Sequence, residues 1–422
     1  MKIKLFLIAG LCVSTSALAG GYRVALQGQS ATGMGHVGTA MTESAEVVFF
    51  NPAGMSFLES KSSSSIGVSL IDAQGKYQNK TTNKAYDTNN PIGTPFYIYQ
   101  ATKINEKSSL GFGIYTPYGN SVEWPLDWAG SHLVNNISLK TIYAQPTFSY
   151  KINNTVSIGA GPTFVNGYVH LNRNLSTSPS VADKDGKRSN VTIKGSGITA
   201  WGYTLGILAK PNDNLSLGMS FRSQVDMEAK NRTANFSNIA DTLQSTYPNT
   251  TYDATLILPA ELSFGASYSL GSQTTIAFEL NRTFWSAYES LDFTFESPEI
   301  ADSTNPRKYS DSNIYRIGVQ HNLSPKITVR VGSYYDQTPI SDGYFTPETA
   351  RNSSVGLTLG GGLKLNKRLS IETSFVYLHI TEFNGSYDFI DHDGNPSTPP
   401  TSFGGDYLTN VTIFGLGLNY NY

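Results

Sequence analysis

The chain is 422 residues long, only 15% of them charged, and it carries 25 Tyr, 21 Phe and one Cys. Its 30 Lys and Arg against 32 Asp and Glu leave a formal net charge of −2, which gives no reason to expect a nucleic-acid partner, and a lone cysteine excludes a disulfide framework. No run of about eighteen apolar residues follows residue 19, so a helical membrane span is excluded and a soluble secreted protein or a β-barrel remains.

Lys2 and Lys4, the apolar run from Leu5 to Val13 and then Ala17-Leu18-Ala19 have the layout of a secretory signal peptide at residues 1–19, with the mature chain starting near Gly20. Cys12 falls inside it. Residues 20–58 show neither a clear strand nor a long helix. Gly28, Gly33, Gly35 and Gly38 punctuate small and polar residues, and Val47-Val48-Phe49-Phe50 leads into Asn51-Pro52-Ala53. Their apolar content predicts a compact plug over a disordered leader. Gly33-Met34-Gly35-His36-Val37-Gly38 spells G-x-G-x-x-G, but it lacks a strand before it and a helix after it, so it reads as a thin coil passing close to a wall.

From residue 59 to 422 a two-residue alternation recurs, with strands near 62–73, 94–103, 108–116, 139–151, 155–173, 196–210, 214–230, 253–270, 274–295, 312–322, 326–337, 353–365, 369–386 and 407–422. The tight connections are 104–107, 152–154, 211–213, 271–273, 323–325 and 366–368, all with turn chemistry and expected to face the periplasm. The remaining connections are longer and rich in Asn, Thr, Ser, Asp and Gly, as in outer loops. Leu215, Leu217, Met219, Phe221 and Val225 share one side of their strand, while Ser216, Arg222, Gln224 and Asp226 share the other. Charges such as Arg222, Asp226, Glu279, Arg330 and Glu372 are expected to point inward, because a basic side chain on the lipid face costs about 2–4 kcal/mol at mid-bilayer. The last strand alternates up to an aromatic terminus, Tyr420 and Tyr422. These features predict an all-β membrane protein, a 14-stranded antiparallel transmembrane β-barrel over 59–422 with an N-terminal plug.

No catalytic or metal-binding motif stands out, so no catalytic residue, metal or cofactor is expected. An outer-membrane lipid-modifying enzyme stays open as an alternative, because a Ser-His pair meets in space and not in sequence. Asn51-Pro52 is a helix-start signal, with Asn able to cap and Pro suited to the first helical position. Tyr115-Thr116-Pro117-Tyr118-Gly119 closes the third strand. Proline removes a ladder donor there, so either the wall bends or the chain exits into an outer loop.

At these residues the chain resembles the FadL-type family of outer-membrane transporters for long-chain fatty acids and aromatic hydrocarbons. The resemblance spans the mature chain and includes the glycine-rich stretch leading to Asn51-Pro52-Ala53, then Phe221-Arg222-Ser223-Gln224-Val225, Leu258-Pro259-Ala260-Glu261, Tyr315-Arg316-Ile317-Gly318 and Asp336-Gln337-Thr338-Pro339. It implies a monomer in the bacterial outer membrane, placed there by the outer-membrane assembly machinery and surrounded by lipid. It further implies passive uptake of a long-chain fatty acid or another hydrophobic small molecule, with aromatic hydrocarbon as the alternative cargo. Asn51, Pro52 and Ala53 would belong to a hatch, and Pro117, Tyr118 and Gly119 to a lateral opening at the kinked third strand. Arg173 and Arg316 are the head-group candidates. The competing role for either arginine is a lumen-facing ion pair with a carboxylate such as Glu279.

Overall fold

The computed structural model describes residues 21–349, 352–390 and 399–422, and the signal peptide expected at 1–19 lies outside them. Alternation of apolar and polar residues makes most of the described chain one antiparallel sheet, because successive side chains of a strand point to opposite faces. Twenty strand segments among the described residues build fourteen strands: four strands are interrupted once, and two short segments, Ala85–Asp87 and Thr294–Phe295, only extend loops. In chain order they are β1 (Ser62–Gln78), β2 (Phe96–Lys103), β3 (Ser108–Tyr115 and Gly119–Glu123), β4 (Asn136–Lys151), β5 (Val156–Asn174), β6 (Asn190–Ala209) and β7 (Leu215–Arg222 and Val225–Ser237). There follow β8 (Thr250–Leu258 and Glu261–Leu270), β9 (Thr274–Thr283), β10 (Ser312–Asn322), β11 (Ile327–Asp336), β12 (Ser354–Lys364), β13 (Leu369–Ile380 and Phe383–Ile390) and β14 (Thr401–Asn421). β1 pairs with β2 on one side and with β14 on the other, from Ser63 against Asn421 to Gln78 against Asp406, so the sheet closes into a barrel. Closure pairs every wall strand, which is the condition for strands to be stable in lipid.

Side-chain caps set the tight turns. The Asn105 Oδ1 accepts from the N–H groups of Lys107 and Ser108 at 2.9 and 2.8 Å. Asn153, Asn212 and Asn366 repeat this pattern, and the Ser324 hydroxyl does the same for Lys326 and Ile327. Such an acceptor imitates a backbone turn, so a few residues suffice to reverse the chain.

Leu217, Met219, Phe264, Phe278, Phe414 and Leu416 are exposed on the outside of the wall, as contact with hydrocarbon requires. Arg222, Glu279, Arg330 and Glu372 are buried inside it. Asp226 departs from expectation and is exposed on the outside. Ser223 and Gln224 interrupt β7 with one extra residue, so Arg222 and Val225 both face inward and the alternation is reversed beyond them. β9 also ends sooner than expected, at Thr283, because the 3-10 turn Trp285–Ala287 carries the Trp285 ring inward onto Tyr22, 4.9 Å between ring centres.

Residues 21–58 run through the barrel interior. Gln29–Gly33 and Val47–Phe50 form single helical turns and Pro52–Phe57 a 3-10 helix, with most of their residues buried. Glycines in the wall make room for them. A Cβ on Gly206 would collide with Asn51 Oδ1 and the Pro52 ring, and one on Gly218 with the Thr39 carbonyl.

Candidate functional site

The N-terminal segment is fastened first at the end of the barrel that carries the tight turns. Asn51 Nδ2 donates to the carbonyls of Thr39 and Ile207 at 2.9 and 3.0 Å, and its Oδ1 accepts the Ala53 N–H at 3.2 Å, capping the helix that Pro52 begins. The Ala53 carbonyl accepts from the hydroxyls of Ser149 on β4 and Ser157 on β5 at 3.2 and 2.8 Å. Asn51, Pro52 and Ala53 are all buried. They tie the segment to the wall.

A polar layer holds the rest of the segment. Glu279 accepts from the Gly38 and Thr39 N–H groups at 2.9 and 2.8 Å and is ion-paired with Arg316. Arg316 therefore lies beside the glycine-rich coil, in the ion pair that competes with a head-group role. Arg23 binds Glu261 and Asn281, both at 2.7 Å, and Arg330 binds Glu372 at 2.6 Å. Arg222 lies 4.5 Å over the Phe49 ring and donates to the Tyr115 hydroxyl at 2.6 Å. Each of these buried charges has a partner, as the cost of desolvation demands. Glu46 and His36 are among the groups of the segment that this burial perturbs. Burial, reinforced by Glu372 and opposed by Arg330, pushes the Glu46 carboxyl up to about 7, although it accepts from the Ser30 and Ala31 N–H groups at 3.3 and 3.4 Å. Burial, with Arg316 and Arg23 nearby, holds His36 well below the ordinary histidine range, and its Nε2 accepts the Gln27 N–H at 3.3 Å.

On the other side of the lumen the third strand bends. The ladder between β2 and β3 runs from Lys103 against Ser109 to Tyr97 against Tyr115 and stops there. Pro117 has no N–H to offer, and β3 resumes at Gly119 paired with β4. The N-terminal segment takes the freed edge. The Val24 N–H donates to the Pro117 carbonyl at 2.8 Å, and the Gly119 N–H donates to the Tyr22 carbonyl at 3.0 Å. Tyr118 reaches inward, its hydroxyl donating to Glu261 at 2.8 Å and lying 3.1 Å from the Pro259 carbonyl. Pro117, Tyr118 and Gly119 are thus joined to the same segment as Asn51, Pro52 and Ala53.

Two adjoining cavities lie toward the long loops. The inner one, about 80 Å³, is bounded by Tyr22, Ile198, Met227, Tyr252 and Phe293 among others. The outer one, about 310 Å³, includes Arg173, Phe236, Ile300, Arg307 and Tyr387. Leu171, Ile193, Leu291, Phe293 and Glu348 line both. Arg173 donates to the His132 carbonyl at 3.3 Å. Arg307 pairs with Glu348 at 2.6 Å, while its Nε and Nη1 have no hydrogen-bond partner although the residue is only 4% exposed. Of the two arginines named from sequence, Arg173 lines the outer of these cavities, while Arg316 lines neither and instead borders a smaller one of about 30 Å³ beside Pro117, Glu261 and Glu279. Arg307 belongs to the loop between β9 and β10, where strand periodicity gives no sign of it.

Comparison with known proteins agrees with this architecture. The family model "Outer membrane protein transport protein (OMPP1/FadL/TodX)" matches residues 10–422. The chain is 23% identical to the outer membrane protein P1 of Haemophilus influenzae over 99% of each chain. It is also 23% identical to the long-chain fatty acid transport protein of Escherichia coli K12, covering 90% of this chain and 93% of that one. The crystal structure of a Pseudomonas aeruginosa FadL homologue superposes with a TM-score of 0.81 at 18% identity, covering 95% of this chain and 99% of that one. For the P. putida toluene transporter TodX the TM-score is 0.72 at 16% identity, covering 94% and 98%. The chain is an outer-membrane β-barrel and belongs to the OMPP1/FadL/TodX family of outer-membrane transport proteins.

Proposed function

We propose that this transporter of hydrophobic compounds takes up long-chain fatty acids, captured in the outer cavity, passed to the inner cavity and released sideways at the third strand. One observation carries the reading. Tyr22 lines the inner cavity and its carbonyl accepts the Gly119 N–H at 3.0 Å, so a ligand that displaces Tyr22 also frees the bent edge of β3. The segment from Tyr22 to Phe57 then acts as a hatch. Burial favours capture, since each methylene withdrawn from water contributes about 0.8 kcal/mol. Arg307 and Arg173, both at the outer cavity, supply the charge that a carboxylate needs on losing its water.

Aromatic hydrocarbon remains the second reading, favoured by the rings of Tyr22, Tyr252, Tyr288 and Phe293 around the inner cavity. The two are separated by exchanging Arg307 for Met and measuring uptake of palmitate and of toluene. Palmitate uptake falls roughly tenfold and toluene uptake is unchanged if the cargo is an acid held by Arg307. Equal palmitate uptake by both proteins would refute the assignment. Two of these relatives are named as a transport protein and a transporter, and the enzyme alternative gains no support from them.

A further inference from the structure

The wall has a second discontinuity, four strands round from the bend in β3. Between β6 and β7 the ladder runs from Ala209 against Leu217 to Thr204 against Arg222, and resumes only at Lys194 against Thr233. Over the intervening stretch β6 stays paired with β5 and β7 with β8, so the two strands separate. At the lower end of the gap the Ser223 N–H donates to the Tyr203 carbonyl and the Tyr203 N–H to the Ser223 hydroxyl, both at 2.9 Å. Both margins are irregular. Gly197 has φ 63 on β6, while β7 is interrupted at Ser223-Gln224 and carries Asn231 at φ 51. A Cβ on Gly197 would meet nothing within 4 Å.

On the inside of this gap lies the inner cavity, lined there by Gly167, Ile198, Met227 and Ala229. On the outside an open cleft of about 370 Å³ lies between Ala200 and Trp201 of β6 and Gln224, Asp226 and Glu228 of β7. Met227, unbranched with three rotatable bonds, is the residue between them best able to move aside. Trp201 is 67% exposed, whereas Trp124, Trp128 and Trp285 are at most 2% exposed. An exposed tryptophan beside Tyr203, on an otherwise lipid-facing wall, marks the aromatic belt at the membrane boundary. The cleft therefore opens where a lipophile dissolved in the membrane keeps its polar end. Its lining holds two carboxylates, Asp226 and Glu228, and no cation. Lys230 beside it is already ion-paired with Glu228, which leaves Asp226 unneutralised, so a ligand carboxylate would meet a net negative charge there.

We propose that the gap between β6 and β7 is a lateral passage gated by Met227, joining the inner cavity to the membrane and admitting uncharged single-chain lipophiles. Carboxylates are confined to the route past Arg173 and Arg307. This rests on the transport reading above, and its test separates the two. Cys12, the only cysteine, lies in the expected signal peptide, so an Ala200→Cys protein can be labelled after folding, in the outer membrane, with a pyrene maleimide. Uptake of 1-hexadecanol should fall roughly tenfold on labelling, and uptake of palmitate should stay within about twofold. Equal loss of both, or unchanged hexadecanol uptake at full labelling, overturns the proposal. A diazirine-bearing hexadecanol should also photolabel Met227 and Trp201 in the unmodified protein, and labelling confined to residues 117–119 counts against the passage. If the unlabelled protein takes up neither compound, the transport reading falls. The photolabel needs no turnover and still decides the passage.

Discussion

Tyr118 on β3 donates its hydroxyl to Glu261 on β8 across the lumen, at 2.8 Å. The other oxygen of the same carboxylate receives Arg23 at 2.7 Å. The bent strand, the far wall and the N-terminal segment therefore meet on one side chain that is only partly exposed. Replacing Glu261 by Gln removes the ion-pair partner of Arg23 and leaves it the neutral Asn281 as acceptor, and losing a charged partner of this kind costs up to about 3–5 kcal/mol. Hydrogen exchange at residues 22–24 and 117–119 should accelerate together, while the barrel keeps its resistance to unfolding in detergent. Unchanged protection at both places would show that Glu261 does not couple them.

Pro117→Val returns an N–H to β3 and removes the steric reason for its bend. Palmitate uptake should fall roughly tenfold, because closing a gate slows passage without touching the cavity. Growth on oleate at the normal rate would tell against lateral release.

Gly218→Leu forces a side chain into the Thr39 carbonyl. Overpacking of this kind costs about 1–3 kcal/mol, most readily relieved by displacing the N-terminal segment and not the wall. Single-channel recordings should show a rise in ion conductance. A variant as tightly closed as the parent would mean that the segment does not occlude the lumen.

Docking of the N-terminal segment should depend on pH through two groups with opposite signs. Glu46 has a folded value of about 7 against an ordinary 4.5, so between those values the undocked segment gives up a proton that the docked one keeps, and docking weakens as pH rises. The effect is at most about 3 kcal/mol. His36 is depressed below its ordinary 6.5, so its contribution is present above that pH and is lost as pH falls. Comparison with Glu46→Gln isolates the first. Amide protection at residues 30–46 in the parent should drop, relative to the variant, between about pH 4.5 and pH 7. A constant ratio would exclude Glu46 as a titrating group of the segment.

What the sequence reveals follows from the range over which each feature is encoded. The strands and tight turns rest on local chemistry, two-residue alternation and caps such as Asn105 and Asn153, so all fourteen strands and their order are legible. Asp226 is misread because a single inserted residue at Ser223-Gln224 reverses the side chains from Val225 to Ala229, until a second irregularity before Arg232 restores the alternation, and nothing in the residue types marks the insertion. Asn51 is recognisable as a cap, but its bond to the Ile207 carbonyl joins distant parts of the chain. The cavity is the least legible part. Tyr22 bounds its inner part and Arg307 its outer part, two residues outside the strands and far apart in sequence, which only the closed wall brings to one space.

The closeness of the wall glycines to the N-terminal segment also bears on how the molecule is made. With Gly206 against Asn51 and Gly218 against Thr39, no slack remains for threading a segment with bulky side chains into a finished cylinder. The cylinder has to be wrapped around it. β1 follows closely on that segment and pairs with β14 from Ser63 against Asn421 to Gln78 against Asp406, so the seam that closes the wall lies next to the enclosed segment. A barrel sewn shut without residues 21–58 inside should stay vacant when they are supplied afterwards as a separate peptide.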